Sequence, residues 1–381
     1  MSVLRLSKSV LGQEESQAVS DVILRDGYLG MGKEVMAFET DLARYLDVSS
    51  QCVSCVNTGT AALHLALQAA LNPGDEVLVQ SLTYVASFQA ITAAGMIPVA
   101  CEVDPRTITI DLNDAKKRLT KNTKAIMPVH YASNPGKLDE IYAFAKKHGL
   151  RVVEDAAHAF GCIYQGRKIG SFGDIVCFSF DGIKNITSGE GGAVVTKDVQ
   201  ISSKVKETRL LGVLGDTEKR FAGERSWEFD VKRQGYRYHM SNLMAAIGRV
   251  QLRRLDNEFA PKRRQLLEGY HNCLKSISGI GLLDYDPDFI VPHIMPLRVL
   301  NHLRDKLKKY LAENDVETGV HYKPNHLLAY YGSGAVSLPT TEKLYEELLS
   351  LPLHPELDIN DVKRITGMIK QFLSESEEDV L

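Results

Sequence analysis

The sequence predicts an α/β fold built on a mostly parallel sheet, followed by a smaller α+β portion. Three observations carry this. Between about residues 52 and 196, short apolar runs alternate with segments of helical length, the pattern of helices packed on a parallel sheet. The apolar runs lack strict alternation with polar residues, as strands covered on both faces do. After Thr196 the alternation stops and charged, helix-prone sequence takes over.

Taken in order, "CVSCV" from Cys52 is strand-like and "TAALHLALQAAL" from Thr60 has helical composition and length. "DEVLVQ" is a strand, "TYVASFQAITAAG" a helix ending at Gly95, and "IPVACEV" a strand again. "DLNDAKKRLT" follows with Asp111 as its N-cap, a residue whose short side chain can accept from the first free amides. "KAIMPVH", "LRVVED", "DIVCFSF" and "GAVVT" read as strands, with the helix "KLDEIYAFAKKHG" among them. A Gly-rich, charged excursion runs from Leu211 to Met240, and a long helix starts near Ser241. The rest mixes helices with short strands such as "ETGVHY", and the tail "SESEEDVL" reads as acidic and disordered. The division expected is a large domain over 1–256, including the N-terminal segment, and a small C-terminal domain over 257–381.

Bulk properties exclude several classes. With 45 Lys and Arg against 48 Asp and Glu, the net charge is −3, so no global basic field exists for nucleic acid. The start, "MSVLRLSKSVLG", lacks the apolar core of a signal peptide. The longest apolar helical run, "AALHLALQAAL", is too short to span a bilayer and carries His64. A cytoplasmic protein without membrane partners is expected. Six cysteines are scattered through apparent core strands, as reduced buried thiols are. Cys52 and Cys55 have the spacing of a metal pair, but no matching second pair follows, so no metal is expected.

Three stretches carry chemistry. In "NTGTAAL" a strand gives way to a helix whose first amides point outward with positive partial charge. Gly59, Thr60 and Ala61 could supply amides, and Thr60 a hydroxyl, to a phosphate. In "VVEDAAHAFG", Glu154 and Asp155 end an apolar strand where the binding crevice of a parallel sheet opens. A carboxylate there needs a cation or strong donors; a protonated pyridine nitrogen would serve, and His158, one turn on, could brace Asp155 or the ligand. In "FSFDGIKNITSGEGGAVVT", Lys184 stands between an apolar strand ending near Ser179 and the glycines 189, 191 and 192. A lysine among apolar groups loses its proton readily and becomes a nucleophile. Each residue has a bland alternative: a helix-capping acid, a satisfied histidine, a snorkelling lysine. Their order together describes a site for pyridoxal 5′-phosphate (PLP), with Tyr84 placed to stack on the ring.

These motifs, with "GYLGMGKEVMAFE", "NPGDEVLVQSLTYVAS", "MPVHYA", "GYRYHMSNLMAAIGRVQL" and "VHYKPNH", resemble the DegT/StrS-type nucleotide-sugar aminotransferases, a branch of the fold type I PLP enzymes. The resemblance implies a seven-stranded, mainly parallel large domain, a small C-terminal domain and a homodimer with shared active sites. Lys184 matches the Schiff-base lysine, Asp155 the partner of the ring nitrogen, and His158 the neighbouring Gln or His. Ser179, Thr60 and Ala61 match phosphate ligands, with Gly59 beside them, and Tyr84 matches the stacking aromatic. Where many members have Asn reaching the phosphate across the dimer interface, this chain has Arg237; where many have Arg, it has His239. Asn185, His321, Tyr322 and His326 fall at substrate-side positions. Asp181 and Gly182 depart from the commoner versions of their motif.

The activity implied is transfer of an amino group from L-glutamate to a nucleotide-linked keto sugar, Lys184 moving the proton. "TSGEGG" is similar to members acting at C4 of 4-keto-6-deoxyhexoses; amination at C3 of a 3-keto sugar is the alternative. A catalytically silent PLP-binding regulator is a rival of another class, disfavoured by the intact Lys184 and Asp155. A nicotinamide-binding protein is disfavoured because no GxGxxG follows the first strand.

Overall fold

The computed structural model describes residues 3–225, 227–286, 288–332 and 336–378. Its strands are β1 (Val53–Val56), β2 (Glu76–Gln80), β3 (Ile97–Cys101), β4 (Thr123–Met127), β5 (Arg151–Asp155), the two-residue arms β6 (Ile163–Tyr164) and β7 (Arg167–Lys168), β8 (Ile175–Ser179), β9 (Gly192–Thr196), β10 (Ile280–Leu282), β11 (Met295–Val299) and β12 (Leu348–Leu351). Seven of them form one sheet in the order β1-β9-β8-β5-β4-β2-β3. The pairs β2–β3, β2–β4, β4–β5 and β5–β8 are parallel. Only β9 runs against its neighbours β8 and β1. The C-terminal ends of β1, β8, β5, β4 and β2 therefore share one edge.

Burial explains the apolar runs. Val77 and Val79 of β2 and Val153 of β5 join one hydrophobic cluster with Ala61, Leu65 and Ala66 of the helix Gly59–Ala70. Leu78 and Val152, one residue out of phase, join the cluster on the other face, with Phe38 and Leu42 of the helix Lys33–Leu46. Successive side chains of a strand point to opposite faces, so covering both faces demands an apolar residue at nearly every position.

The helix Asn242–Arg254 starts where Ser241 Oγ accepts from the Met244 amide. It passes through one wide turn, Leu255–Phe259, into the helix Ala260–Leu274. Beyond lie the antiparallel sheet β10-β11-β12 and the helices Arg304–Glu313 and Ile359–Glu378. Asp111 caps its helix as expected, accepting from the Asn113 amide.

Two expectations change. "ETGVHY" is not a strand: only isolated bridges form, Val316 to Leu4 and Gly319 to Ser350. The segment instead leaves the small sheet to bring His321 and Tyr322 to the main cavity. In the tail, Ser374 to Glu378 continue the last helix rather than being disordered, because Leu373 and the turns before it are buried on its inner face; residues 379–381 lie outside the described residues. The N-terminal segment also runs along the C-terminal part, with Leu4 bonded to Asp315 and Glu317, and Leu353 to Leu6. Among the described residues, no helix is long and apolar enough to cross a membrane.

Candidate active site

The site opens on the sheet edge where β1, β5 and β8 end. After β1, Thr58 takes an extended conformation and its Oγ1 accepts from the Ala61 amide at 3.0 Å. The Ala62 amide bonds to the Thr58 carbonyl. The Gly59 and Thr60 amides therefore head the helix without an intrahelical partner, and both residues line the cavity. Gly59 is dictated by closeness: a Cβ there would sit 2.7 Å from the Ser179 Cβ. Ser179, the last residue of β8, lies beside this helix start, a natural anion seat.

Asp155 ends β5, almost fully buried. Its Oδ2 accepts from Ser87 Oγ at 2.7 Å and its Oδ1 from the Ala157 amide at 3.2 Å. Glu154 alternates to the opposite face, where it accepts from Tyr142 Oη at 2.6 Å and lies 3.0 Å from His130 Nε2. Only Asp155 of the two acids faces the cavity. His158 does not brace Asp155. Its Nε2 lies 3.3 Å from Tyr322 Oη, and its ring packs 4.4 Å from that of His293.

Lys184 sits in a loop closed by bonds from the Phe180 amide to the Gly191 carbonyl and from Ser188 to Phe180. Its Nζ lies 3.4 Å from His293 Nε2. Burial lowers its pKa to about 8 against the opposing pull of Asp155 and Asp181. The flanking glycines serve the chain's own packing. Gly189 holds a left-handed φ of 79°. A Cβ on Gly192 would meet the Thr58 carbonyl oxygen at 2.5 Å, and one on Gly191 the Met240 methyl at 2.9 Å. They let the lysine loop close onto the helix start.

A cavity of about 470 Å³ unites Gly59, Thr60, Ser179, Asp155, His158 and Lys184, with Tyr84, His321 and Tyr322 across from them. The Tyr84 ring is more than half exposed and lies 5.4 Å from that of Tyr322. His321 Nδ1 is 2.8 Å from Ser350 Oγ; burial and then Lys184 push its pKa down to about 4. Asp181 and Glu190 stand at the same cavity. A second hollow of about 530 Å³, around Cys52, Lys206 and Asp216, contains none of these groups.

Four sequence-predicted site residues are not brought there. The Ala61 amide is taken by Thr58. Asn185 is buried and its amide donates to the carbonyls of Phe160 and Val291 at 3.0 and 2.9 Å, which leaves it pinning the lysine loop rather than facing substrate. His326 is held between Ser81 Oγ at 2.7 Å and Glu342 at 3.2 Å, so its ring is spent on the fold. Arg237 lies with Arg220, Arg225 and His239 around a different hollow. Three groups escaped sequence reasoning: Thr58 at the cavity, and Ser87 and His293 behind it against Asp155 and Lys184. Thr58 and Ser87 carry a faint signal, as neighbours of Gly59 and, one helical turn on, of Tyr84. His293 carries none, since its approach to Lys184 joins segments far apart in the chain.

The model of the DegT/DnrJ/EryC1/StrS aminotransferase family matches residues 10–370. The chain belongs to this family. It is 32% identical over 368 residues to dTDP-4-dehydro-2,3,6-trideoxy-D-glucose 4-aminotransferase from Saccharopolyspora spinosa, covering 95% of each chain. Its structure is similar to that of the aminotransferase TlmJ from Streptoalloteichus hindustanus, with a TM-score of 0.90 and 32% identity over 98% of this chain and 100% of that one. Streptococcus pneumoniae Spr1654, solved in its PLP form, matches with a TM-score of 0.88 and 28% identity over 97% of this chain and 98% of that one. As a family member the protein is a PLP-dependent sugar aminotransferase with the fold type I architecture. The residues present fit the cofactor: two free helix-start amides and a serine for its phosphate, a buried carboxylate for its ring nitrogen, and a half-buried amine with lowered pKa for its aldehyde.

Proposed function

We propose that this sugar aminotransferase moves an amino group from L-glutamate to C4 of a nucleotide-linked 4-keto-6-deoxyhexose. The observation that carries the reading is one cavity in which the Lys184 amine, the Asp155 carboxylate and a helix start converge. The preference for C4 is supported by Glu190 of "TSGEGG" at that cavity and by the 4-aminotransferase relative.

When bound, PLP supplies an electron sink for charge that develops on the carbon bearing nitrogen. The chain supplies the rest. Asp155, oriented by Ser87, would face the ring nitrogen and favour its protonated state. With the cofactor bound, the Gly59 and Thr60 amides and Ser179 Oγ would hold its phosphate, Tyr84 would stack on its ring, and His158 would pack against it. Lys184 Nζ takes a proton from the α carbon of the donor and later gives one to the sugar carbon, acting as base and then acid. A pKa of about 8 suits both tasks. His321 and Tyr322 face the substrate.

The working unit is a homodimer with shared sites. Trp227 and Phe229 are exposed apolar side chains around the same hollow as Arg237, outside the chain's own cavity, as a surface awaiting a second copy would be. Arg237 then reaches the partner's phosphate site as a charged donor. The division into 1–256 and 257–381 falls within the wide turn Leu255–Phe259.

The test is incubation with L-glutamate and a panel of TDP-, UDP- and GDP-linked 4-keto-6-deoxyhexoses, with product NMR. An amine at C4 is expected; an amine at C3, or no transfer from glutamate, overturns the reading. Lys184→Ala should abolish turnover.

A further inference from the structure

We propose that His293 is a positioning residue for Lys184: its Nε2 accepts a hydrogen bond from the lysine nitrogen, aiming it into the cavity and steadying it while it carries a proton. This rests on the reading of Lys184 as the group that moves the proton.

The contact is direct, with Nε2 at 3.4 Å from Nζ. The residue is fixed through its backbone, while its ring Nδ1 is buried with no hydrogen-bond partner among the described residues. Its backbone amide donates to Ser133 Oγ at 3.0 Å, and that same oxygen lies 2.8 Å from the Val291 carbonyl and also contacts the His158 carbonyl. One hydroxyl thus ties together the segments that carry both histidines. Ala132 and Ser133 adopt left-handed φ values of 51° and 74° to present it. That conformation is costly for residues other than glycine, and persists where the surroundings impose it.

The charges around the pair decide how it is used. Arg263, almost fully buried, directs its Nη1 at the carbonyls of Pro292, Leu353 and His293, at 3.1, 3.3 and 3.4 Å. Burial first, then Lys184, His158, Arg263 and His321, push the His293 pKa well below the usual histidine range. His293 is therefore neutral and keeps one lone pair. Asp155 from β5 and Asp181 from the lysine loop favour the ammonium, while burial opposes it. His158 and His321 are held neutral too, burial being the main cause. Among the described residues, His293 is the histidine with a ring nitrogen in hydrogen-bond contact with Nζ. An acceptor there stabilises the charged form of the lysine, so its loss must lower the lysine pKa further.

The test is the pH dependence of Lys184 acetylation by acetic anhydride in cofactor-free protein, followed by peptide mass spectrometry. The wild type should show a midpoint near pH 8. His293→Phe keeps ring volume but has no acceptor; its midpoint should fall by about one pH unit, a roughly tenfold gain in labelling on the acid side. His293→Gln, whose Oε1 can accept, should return the midpoint towards the wild-type value. A wild-type midpoint near 8 with an unchanged or higher value in His293→Phe overturns the inference alone. A wild-type midpoint in the ordinary lysine range overturns the reading of Lys184 and this inference with it. Should His293→Phe not fold, ¹⁵N ring shifts of His293 in the intact wild type decide: Nε2 bearing the lone pair is expected, and Nε2–H overturns the assignment.

Discussion

Burial makes Lys184 a liability to the fold. Its folded pKa is about 8 against an ordinary 10.5, so between these values the unfolded chain binds more protons, and stability rises with pH through that window. The penalty is fully present below about pH 8. Lys184→Met should therefore stabilise the cofactor-free protein by about 1–3 kcal/mol at neutral pH. Urea unfolding should show that gain shrinking towards the alkaline end of the window; a gain independent of pH would count against a charge effect. Asp155 offers a second residue-scale prediction. Ser87→Ala removes the 2.7 Å bond to its Oδ2, and hydrogen bonds to charged groups contribute about 1.5–3 kcal/mol. PLP retention, measured by equilibrium dialysis, should weaken roughly tenfold, with little change in the circular dichroism spectrum.

At the scale of elements, the cavity exists because β1, β8 and the lysine loop close onto the start of the helix Gly59–Ala70. The closure is tightest at Gly192, whose added Cβ would lie 2.5 Å from a backbone oxygen, that of Thr58. At Gly191 the nearest atom is the Met240 methyl, at 2.9 Å, the end of a flexible chain. Gly192→Ala should thus cost more stability than Gly191→Ala, about 1–3 kcal/mol where backbone must shift; equal urea midpoints would contradict this packing. Thr58→Ala removes the N-cap bond to Ala61, worth about 1 kcal/mol. It also frees an amide towards the phosphate seat, so stability should fall by more than PLP affinity does.

For the whole molecule, the decisive matter is whether two chains share their sites. Arg237 and His239 sit around a hollow separate from the Lys184 cavity, on a segment hydrogen-bonded back to Asn57 and Arg209 through Tyr238. Arg209 is itself fully buried, paired with Glu39 and bonded to the Cys55 carbonyl. Removing one member of such a pair strands the other charge in the interior, so this pair ties the segment to β1. If the sites are shared, Lys184→Ala and Arg237→Ala chains, each impaired alone, should regain activity when mixed and reassembled. The hybrid dimer holds one site with both residues intact. No recovery, with hybrids verified by native mass spectrometry, would falsify sharing through Arg237.

The sequence by itself pointed to the mostly parallel sheet, a helix start within "NTGTAAL", and Asp155, Ser179 and Lys184 as the groups that the structure brings to one cavity. These follow from local rules: apolar runs need cover on both faces, small residues permit close approach, and strand ends of a parallel sheet meet at one edge. The same rules missed where side chains spend their hydrogen bonds. Asn185 and His326 look like site residues in a motif, yet their partners are Val291, Ser81 and Glu342. Only the tertiary structure decided that, and only it brought His293 to Lys184 and Ser87 to Asp155. Such contacts depend on which segments pack together across the whole chain, and spacing along one stretch carries no record of them.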